Sequence, residues 1–375
     1  METERLVREL TEARGPSGYE TEARETIRRL LSPFAHEVRV DAMGNFIAIR
    51  RGGDAGQGGA SGAPHPGSPP RPLLMIAAHM DEIALMVTQV EKGFLRFAEV
   101  GGFDPRVLVG QEVVVHARRE LCGVVVSVPP HFTDVADREK PFPLDKLFID
   151  AGLPEDELAS LVQVGDLVTM RARWTPLAGG YAACKAMDDR AGVAAMVLCM
   201  EELARSRHEW DVCAVATVQE EVTMAGASTG AWGIEPTAAI AVDVTFGLQA
   251  GVSPAEGVKM DGGPGVALGP NFHPAVVERL LAAARAREIP HQLEAIAGRS
   301  GTDAWAIQVS RSGVPCGLLG IPLRSMHTTV ETVSLRDVER TARLLAGFAG
   351  GLDPAFARSL VQPDVLGGAA APGGA

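Results

Sequence analysis

No apolar run in this 375-residue chain approaches the roughly 20 residues of a membrane span, which excludes a helix that crosses a bilayer. The opening residues, Met1-Glu2-Thr3-Glu4-Arg5, are charged and lack the apolar centre of a signal peptide, so a cytoplasmic protein is expected. The five cysteines (Cys122, Cys184, Cys199, Cys213 and Cys316) are odd in number and form no C-x-x-C pair. They fit small buried residues in a reducing compartment, not a disulfide set or a thiolate zinc site. Positive charge is also short: 35 Lys and Arg face 47 Asp and Glu, a formal net charge of −12. That argues against nucleic acid and anionic membrane as partners.

What is present is core. Hydrophobic residues make up 46% of the chain, and the length suits two domains. Leu6, Val7 and Leu10 recur at helical spacing, and a second helix follows the Gly15-Pro16-Ser17-Gly18 turn to about Leu31. Val38-Arg39-Val40 and Asn45 to Arg50 read as strands. Residues 51–72 are dominated by Gly, Ala, Ser and Pro and read as a flexible loop. Leu73 to Ala78 reads as a buried parallel strand ending at His79. From Ile83 to Arg173 short β-rich runs alternate with turns, the texture of a small barrel or sandwich inserted into an α/β domain.

The α/β pattern then resumes. Asp188-Asp189 opens an apolar helix to about Arg205. The run Val212–Val218 stops at Glu220-Glu221, and Ala238–Val242 stops at Asp243. A helix over 274–288, a strand His291–Ile296, a helix Thr302–Arg311 and a strand Val314–Gly320 lead to His327. Ser334 is expected to cap a closing helix, with Asp337 at its third position. The tail from 364 to 375 is expected to be disordered.

His79, Asp188, Glu221, Asp243 and His327 thus stand at or just past apolar runs or a helix start, with Glu220 beside them. Taken singly, a His after a strand is more often structural, Asp188-Asp189 could cap a helix, and Asp243 could close an Asx turn. Together they stand where open α/β sheets place their sites, at the C-terminal strand edge. Two His and three carboxylates suit zinc, cobalt or manganese. Five ligands are too many for one open tetrahedral zinc and about right for two metals with a bridging carboxylate, for which Asp188 is the candidate. Asp81 is expected to accept from the His79 ring nitrogen that faces away from the metal. Glu220 and Glu221, adjacent at a strand end, are expected to point to opposite sides, one toward metal and one toward a proton. Glu220 would carry a proton from water to a leaving amine.

These stretches, together with Gly15-Pro16-Ser17-Gly18-Tyr19-Glu20, Asp41-Ala42-Met43-Gly44-Asn45, Ser300-Gly301-Thr302-Asp303-Ala304 and Met326-His327-Thr328-Thr329-Val330-Glu331, resemble the M42 family of metallo-aminopeptidases, the glutamyl or deblocking group. The resemblance implies an α/β fold, a mixed central sheet with helices on both faces, interrupted by a β-rich barrel. Catalytic segments would span 1–82 and 179–363, and a dimerisation domain 83–178. It implies His79 and Asp243 on one metal, Glu221 and His327 on the other, Asp188 bridging, Glu220 as general base and Asp81 as the acid that orients His79. Two divalent ions, zinc or cobalt with manganese also possible, would serve hydrolysis of N-terminal residues from short peptides. Dimers would assemble into a dodecamer. One departure is Ser325, where the resemblance leads us to expect an aromatic residue. A deacylase or carboxypeptidase of the same clan, and a silent peptide-binding oligomer, are the alternatives.

Overall fold

The structure, a computed structural model, describes residues 1–53, 71–132 and 143–360. The expected tail at 364–375 lies outside the described residues, as does all but the edges of the 51–72 loop. Those edges are anchored: Gly52 donates its N–H to Asp211, and Gly53 bridges His208. Among the described residues no helix is long and apolar enough to cross a membrane.

Four strands form the centre of a large mixed sheet: Asp211–Thr217, Leu73–His79, Ala238–Phe246 and Cys316–Arg324, neighbours in that order and all parallel. Their side chains are buried almost throughout, as continuous apolar strands covered on both faces should be. Antiparallel strands flank them: Phe46–Arg50 and Glu37–Val40 on one side, Glu331–Ser334, Tyr181–Cys184 and Thr175–Leu177 on the other. Gly265–Leu268 and Gln292–Ala295 extend the sheet from Cys316–Arg324. The sequence pattern did not separate Gly265–Leu268, Glu331–Ser334, Tyr181–Cys184 or Thr175–Leu177 as strands, because each is only three or four residues long.

The helix Met187–Leu203 is apolar all round and buried almost all round, the signature of a helix in the middle of a core. It packs on Leu73–His79 and Ala238–Phe246, and the amphipathic helices Thr3–Glu12 and Leu335–Gly350 cover it. The helices Ala225–Ile234 and Asp303–Gln308 pair on the other face of the sheet. Ile83 to Met170 includes a closed six-stranded barrel: Ala84–Glu91, Phe94–Val100, Leu147–Asp150, Glu120–Ser127, Glu112–His116 and Leu167–Met170. It holds its own apolar core, including Leu85, Val115, Val125 and Ile149.

Two local expectations need correction. Ser334 takes the cap position but its hydroxyl makes no capping bond. Asp337 instead accepts the N–H groups of Asp261 and Gly263 at 2.6 and 2.8 Å, so it pins a distant loop to the helix. Asp188 and Asp189, expected to open the helix, have non-helical backbone angles. The regular helix begins after them, which leaves their carboxylates free to face elsewhere.

Asn45 supports the site from behind. It is fully buried, accepts the Val218 N–H at 3.0 Å and donates to the Gly226 carbonyl at 2.9 Å. Its amide thereby ties the segment that carries Glu220 and Glu221 to the helix that follows. Asn45→Ala should destabilise the protein by about 2–3 kcal/mol, because a buried N–H loses its partner. Urea unfolding measures this directly. A loss within the roughly 0.5 kcal/mol of a neutral substitution would show that other contacts hold the segment.

Candidate metal centre

Parallel strands in register bring their C-terminal ends to one edge. Thr217 lies beside His79, and Asp243 beside Gly320. His79, Asp243, the Glu220-Glu221 pair and His327 therefore converge from four neighbouring strands, and Asp188 reaches them from the segment before the buried helix. The loops that make the final turns are bent sharply. Ala186, Gln219, Met224, Ser325 and His327 all have positive φ near +55°, a conformation that costs a non-glycine residue of order 1–2 kcal/mol. The strand stops at Thr217, so strict alternation ends before Glu220 and Glu221, and both line one cleft.

All five expected ligands come together. Asp188 is at the centre: Oδ1 lies 3.0 Å from His79 Nε2, and Oδ2 lies 3.4 Å from His327 Nε2. His327 Nε2 is also 3.5 Å from Glu221, and His79 Nε2 is 4.0 Å from Asp243 and 3.9 Å from Glu220. Asp188, Asp243, Glu221 and His79 are largely buried, whereas the His327 side chain is 37% exposed and marks the open side. Groups of donor atoms close enough to share one cation are His79, Asp188 and Glu221, and also His79, Asp189 and Asp243.

Asp81 is fully buried and does more than face a ring. Its carboxylate accepts the N–H of Glu220 at 3.0 Å, the N–H of Glu221 at 3.2 Å and the Ser17 hydroxyl. His79 Nδ1 lies 3.5 Å from that carboxylate, but the Asp81 backbone carbonyl is nearer at 3.2 Å. The expected carboxylate–imidazole contact is therefore shared with a carbonyl.

Two further buried acids had no role assigned in the sequence. Glu331 accepts the N–H of Asp188 at 3.1 Å and of His327 at 2.8 Å, so one side chain orients the backbone of two candidate ligands. Asp189 accepts the Gly192 N–H with one oxygen, while the other is buried without a partner. Both stand in the motifs quoted above; nothing in composition or spacing separates a backbone clamp from a ligand.

The electrostatics follow from crowding. Burial first, and neighbouring carboxylates after it, push Asp243, Glu221, Asp189 and Glu331 well above the carboxylate range. Glu220 is pushed up to about 10, first by burial, with His79 pulling down and Asp243, Asp303 and Asp188 pushing up. Burial also opposes ionisation of Asp188, but its bonds to His327 and His79 overcome it and hold it low. The cluster has too many buried acids for two imidazoles to neutralise. Glu220 Oε1 and Asp189 Oδ2 are orphaned as well. A hard or borderline dication answers both defects, so the donor set fits a metal.

The profile of the M42 glutamyl aminopeptidase family matches residues 59–344. The chain belongs to that family. It is 33% identical to the lysyl aminopeptidase of Pyrococcus furiosus over 355 residues, 93% of this chain and 97% of that one. Its fold matches an aminopeptidase from the archaeon Desulfurococcus kamchatkensis with a TM-score of 0.86 at 34% identity, covering 97% and 98% of the two chains. It matches the Pyrococcus horikoshii TET1 peptidase with a TM-score of 0.79 at 30% identity, covering 94% and 100%. The protein is thus a peptide hydrolase of a metal-dependent aminopeptidase family, with an α/β fold that carries a closed barrel.

The raised acids set a pH dependence. A carboxyl whose folded value is raised stabilises the fold below its unfolded value, near 4, and loses that contribution as pH climbs through the folded value. Glu220, Glu221, Asp243, Asp189 and Glu331 act in this sense, and so does His79, whose raised value rests on Asp188 and Asp81 against burial. Asp188 and Asp81 are held low and run the other way, but they already contribute fully above about pH 5. Stripped of metal, the protein should therefore lose thermal stability between about pH 5 and pH 9. Added zinc or cobalt should remove most of that slope. Melting scans with chelator and with metal read this; a metal-free Tm that rises across the range would contradict the assignment.

Proposed function

We propose that the chain is a dinuclear metal-dependent aminopeptidase that removes N-terminal residues from short peptides. The observation that carries the reading is Asp188, whose two oxygens face two different imidazoles at 3.0 and 3.4 Å. Such a placement suits a bridging carboxylate. His79 and Asp243 would hold one metal, Glu221 and His327 the other. Zinc and cobalt suit these ligands best, and manganese accepts them too. When bound, the pair supplies Lewis acidity, which makes water acidic and polarises the scissile carbonyl.

The chain's own residues do the rest. Glu220 has one carboxylate oxygen 3.9 Å from His79 and the other buried without a partner, which suits it to take the proton of the attacking water and return it to the leaving amine. Its high value without metal comes first from burial and then from neighbouring carboxylates, and dications among the same ligands would act in the opposite direction. Asp81 sets the loop that carries Glu220 and Glu221 through their N–H groups, and it lies within reach of the His79 ring. The cleft beside these residues holds about 460 Å³, room for a peptide end.

Assembly into a homo-oligomer, dimers building a dodecamer, belongs to the same proposal. The Pyrococcus horikoshii TET1 peptidase assembles into a tetrahedron or a large octahedral shell. In this chain the barrel region leaves Phe132, Val164 and Val109 exposed, which suits a partner surface.

Mass spectrometry of a peptide pool, half with free and half with acetylated N-termini, tests the activity. Stepwise loss of N-terminal residues from the free half, abolished by chelator and restored by zinc or cobalt, is expected. Trimming from the C-terminus, or removal of the acyl group alone, would point to a carboxypeptidase or deacylase and sink the proposal. Glu220→Gln should keep its metal and lower kcat by about 100- to 10,000-fold, the range of general-base effects. Metal content by elemental analysis alongside steady-state rates checks this, and near-normal turnover would remove Glu220 from the mechanism.

A further inference from the structure

The cleft contains one acid that the metal centre does not use. Glu294 lies on the Gln292–Ala295 strand and lines the same cavity as Asp188, Asp243 and His327. Its carboxylate is mostly buried, and burial raises its pKa with only a bond from Thr245 acting against it. Thr245 donates its hydroxyl to Glu294 Oε1 at 2.5 Å. Thr245 is two residues beyond Asp243 on the Ala238–Phe246 strand, so both side chains stand on one face of the sheet, about 6.6 Å apart along the strand. The carboxylate thus sits roughly one side-chain length from the expected metal ligand.

The other oxygen is given room by absent side chains. Gly265 and Gly320 face each other across neighbouring antiparallel strands. A Cβ on Gly265 would fall 2.8 Å from Glu294 Oε2, and one on Gly320 would fall 3.1 Å from it. A side chain at Gly265 would displace the carboxylate. The sheet therefore leaves a slot that holds an acid at the wall of the cleft.

No cation of the described chain answers that acid. The cationic candidates lining the cavity are Arg299 and His327. Arg299 is exposed, with its guanidinium over the Trp305 ring at 5.2 Å, and His327 faces Asp188 and Glu221. The wall of the same cavity includes Ile296, Leu318 and Met326, apolar surface of the kind that covers the methylenes of a long cationic side chain while its head reaches a polar partner.

We infer that Glu294 is a specificity-determining residue that selects a cationic side chain, lysine or arginine, on the N-terminal residue of the substrate. This rests on the aminopeptidase reading and names the substrate class of the same site. The ammonium or guanidinium would meet the carboxylate from the cleft, at the oxygen that Thr245 does not bond, and a charge-assisted hydrogen bond to a desolvated carboxylate is strong.

The test uses the full chain loaded with zinc or cobalt and three chromogenic amides of one amine: lysyl, norleucyl and glutamyl. Norleucine keeps the length of lysine without its charge. In the unaltered protein kcat/KM for lysyl should exceed norleucyl by about 10- to 100-fold, the range of a hydrogen bond to a charged group. Glu294→Gln should bring the ratio close to one, and Glu294→Arg should place glutamyl ahead of lysyl. Each ratio is taken within one variant, so partial unfolding or poor metal loading cancels. A norleucyl preference in the unaltered protein, or a lysyl-to-norleucyl ratio unmoved in Glu294→Gln, would overturn the assignment to Glu294 while leaving the aminopeptidase standing. If none of the three amides is cleaved with metal bound, the aminopeptidase reading fails and this inference fails with it.

Discussion

The constraint on which the structure depends is the repulsion among carboxylates buried at one sheet edge. Asp188, Asp189, Glu220, Glu221, Asp243 and Glu331 are all largely buried, and two imidazoles are the nearest cationic groups. Such a cluster cannot be held by mutual attraction. It is held by backbone amides. Asp81 grips the N–H groups of Glu220 and Glu221, and Glu331 grips those of Asp188 and His327. Each clamp orients two candidate ligands or their neighbours through the main chain, so the positions survive whether or not the side chains are ionised. The clamps also explain how five left-handed non-glycine residues are tolerated around the site. Strain of this kind persists only where the surroundings over-determine the backbone.

The sheet does the coarse positioning. Four parallel strands in near register end within three residues of His79, Glu220, Asp243 and His327, and burial on both faces prevents a slip. A one-residue shift of Ala238–Phe246 would turn Asp243 to the opposite face. The buried helix behind the sheet contributes differently. Because Asp188 and Asp189 are not part of its regular turns, their backbone can be aimed by Glu331 instead of by helix geometry.

The α/β class and the inserted barrel were legible because both rest on periodicity, which runs along the chain. The same holds for the five candidate ligands, each of which ends an apolar run or precedes a helix. Features that depend on which strands become neighbours were not legible. Nothing local marks Glu331 as a clamp on Asp188, 143 residues away, or Asn45 as the support of Val218, 173 residues away. Asp337 misled for a related reason. Its place in the first turn is an ordinary N-terminal signal, yet the fold presents it with the free N–H groups of Asp261 and Gly263. The alternation rule does not reach Glu220-Glu221, because it applies inside a strand and the strand ends at Thr217.

Glu294 shows how such a framework can separate chemistry from preference. The acids at the strand ends are clamped through their amides and crowded together, so a change in any of them disturbs all the rest. Glu294, on the separate strand Gln292–Ala295, is bonded to Thr245 one repeat beyond Asp243 and set in a slot between two glycines. Among the described residues no ion pair or amide clamp joins it to the cluster. A substitution there changes the charge met by the substrate's side chain without altering the groups proposed to hold metal or move the proton. The opposite holds for Asp81. Its carboxylate comes no nearer than 3.5 Å to the His79 ring, yet it fixes the loop of both glutamates, so its removal would be felt in metal affinity and turnover together.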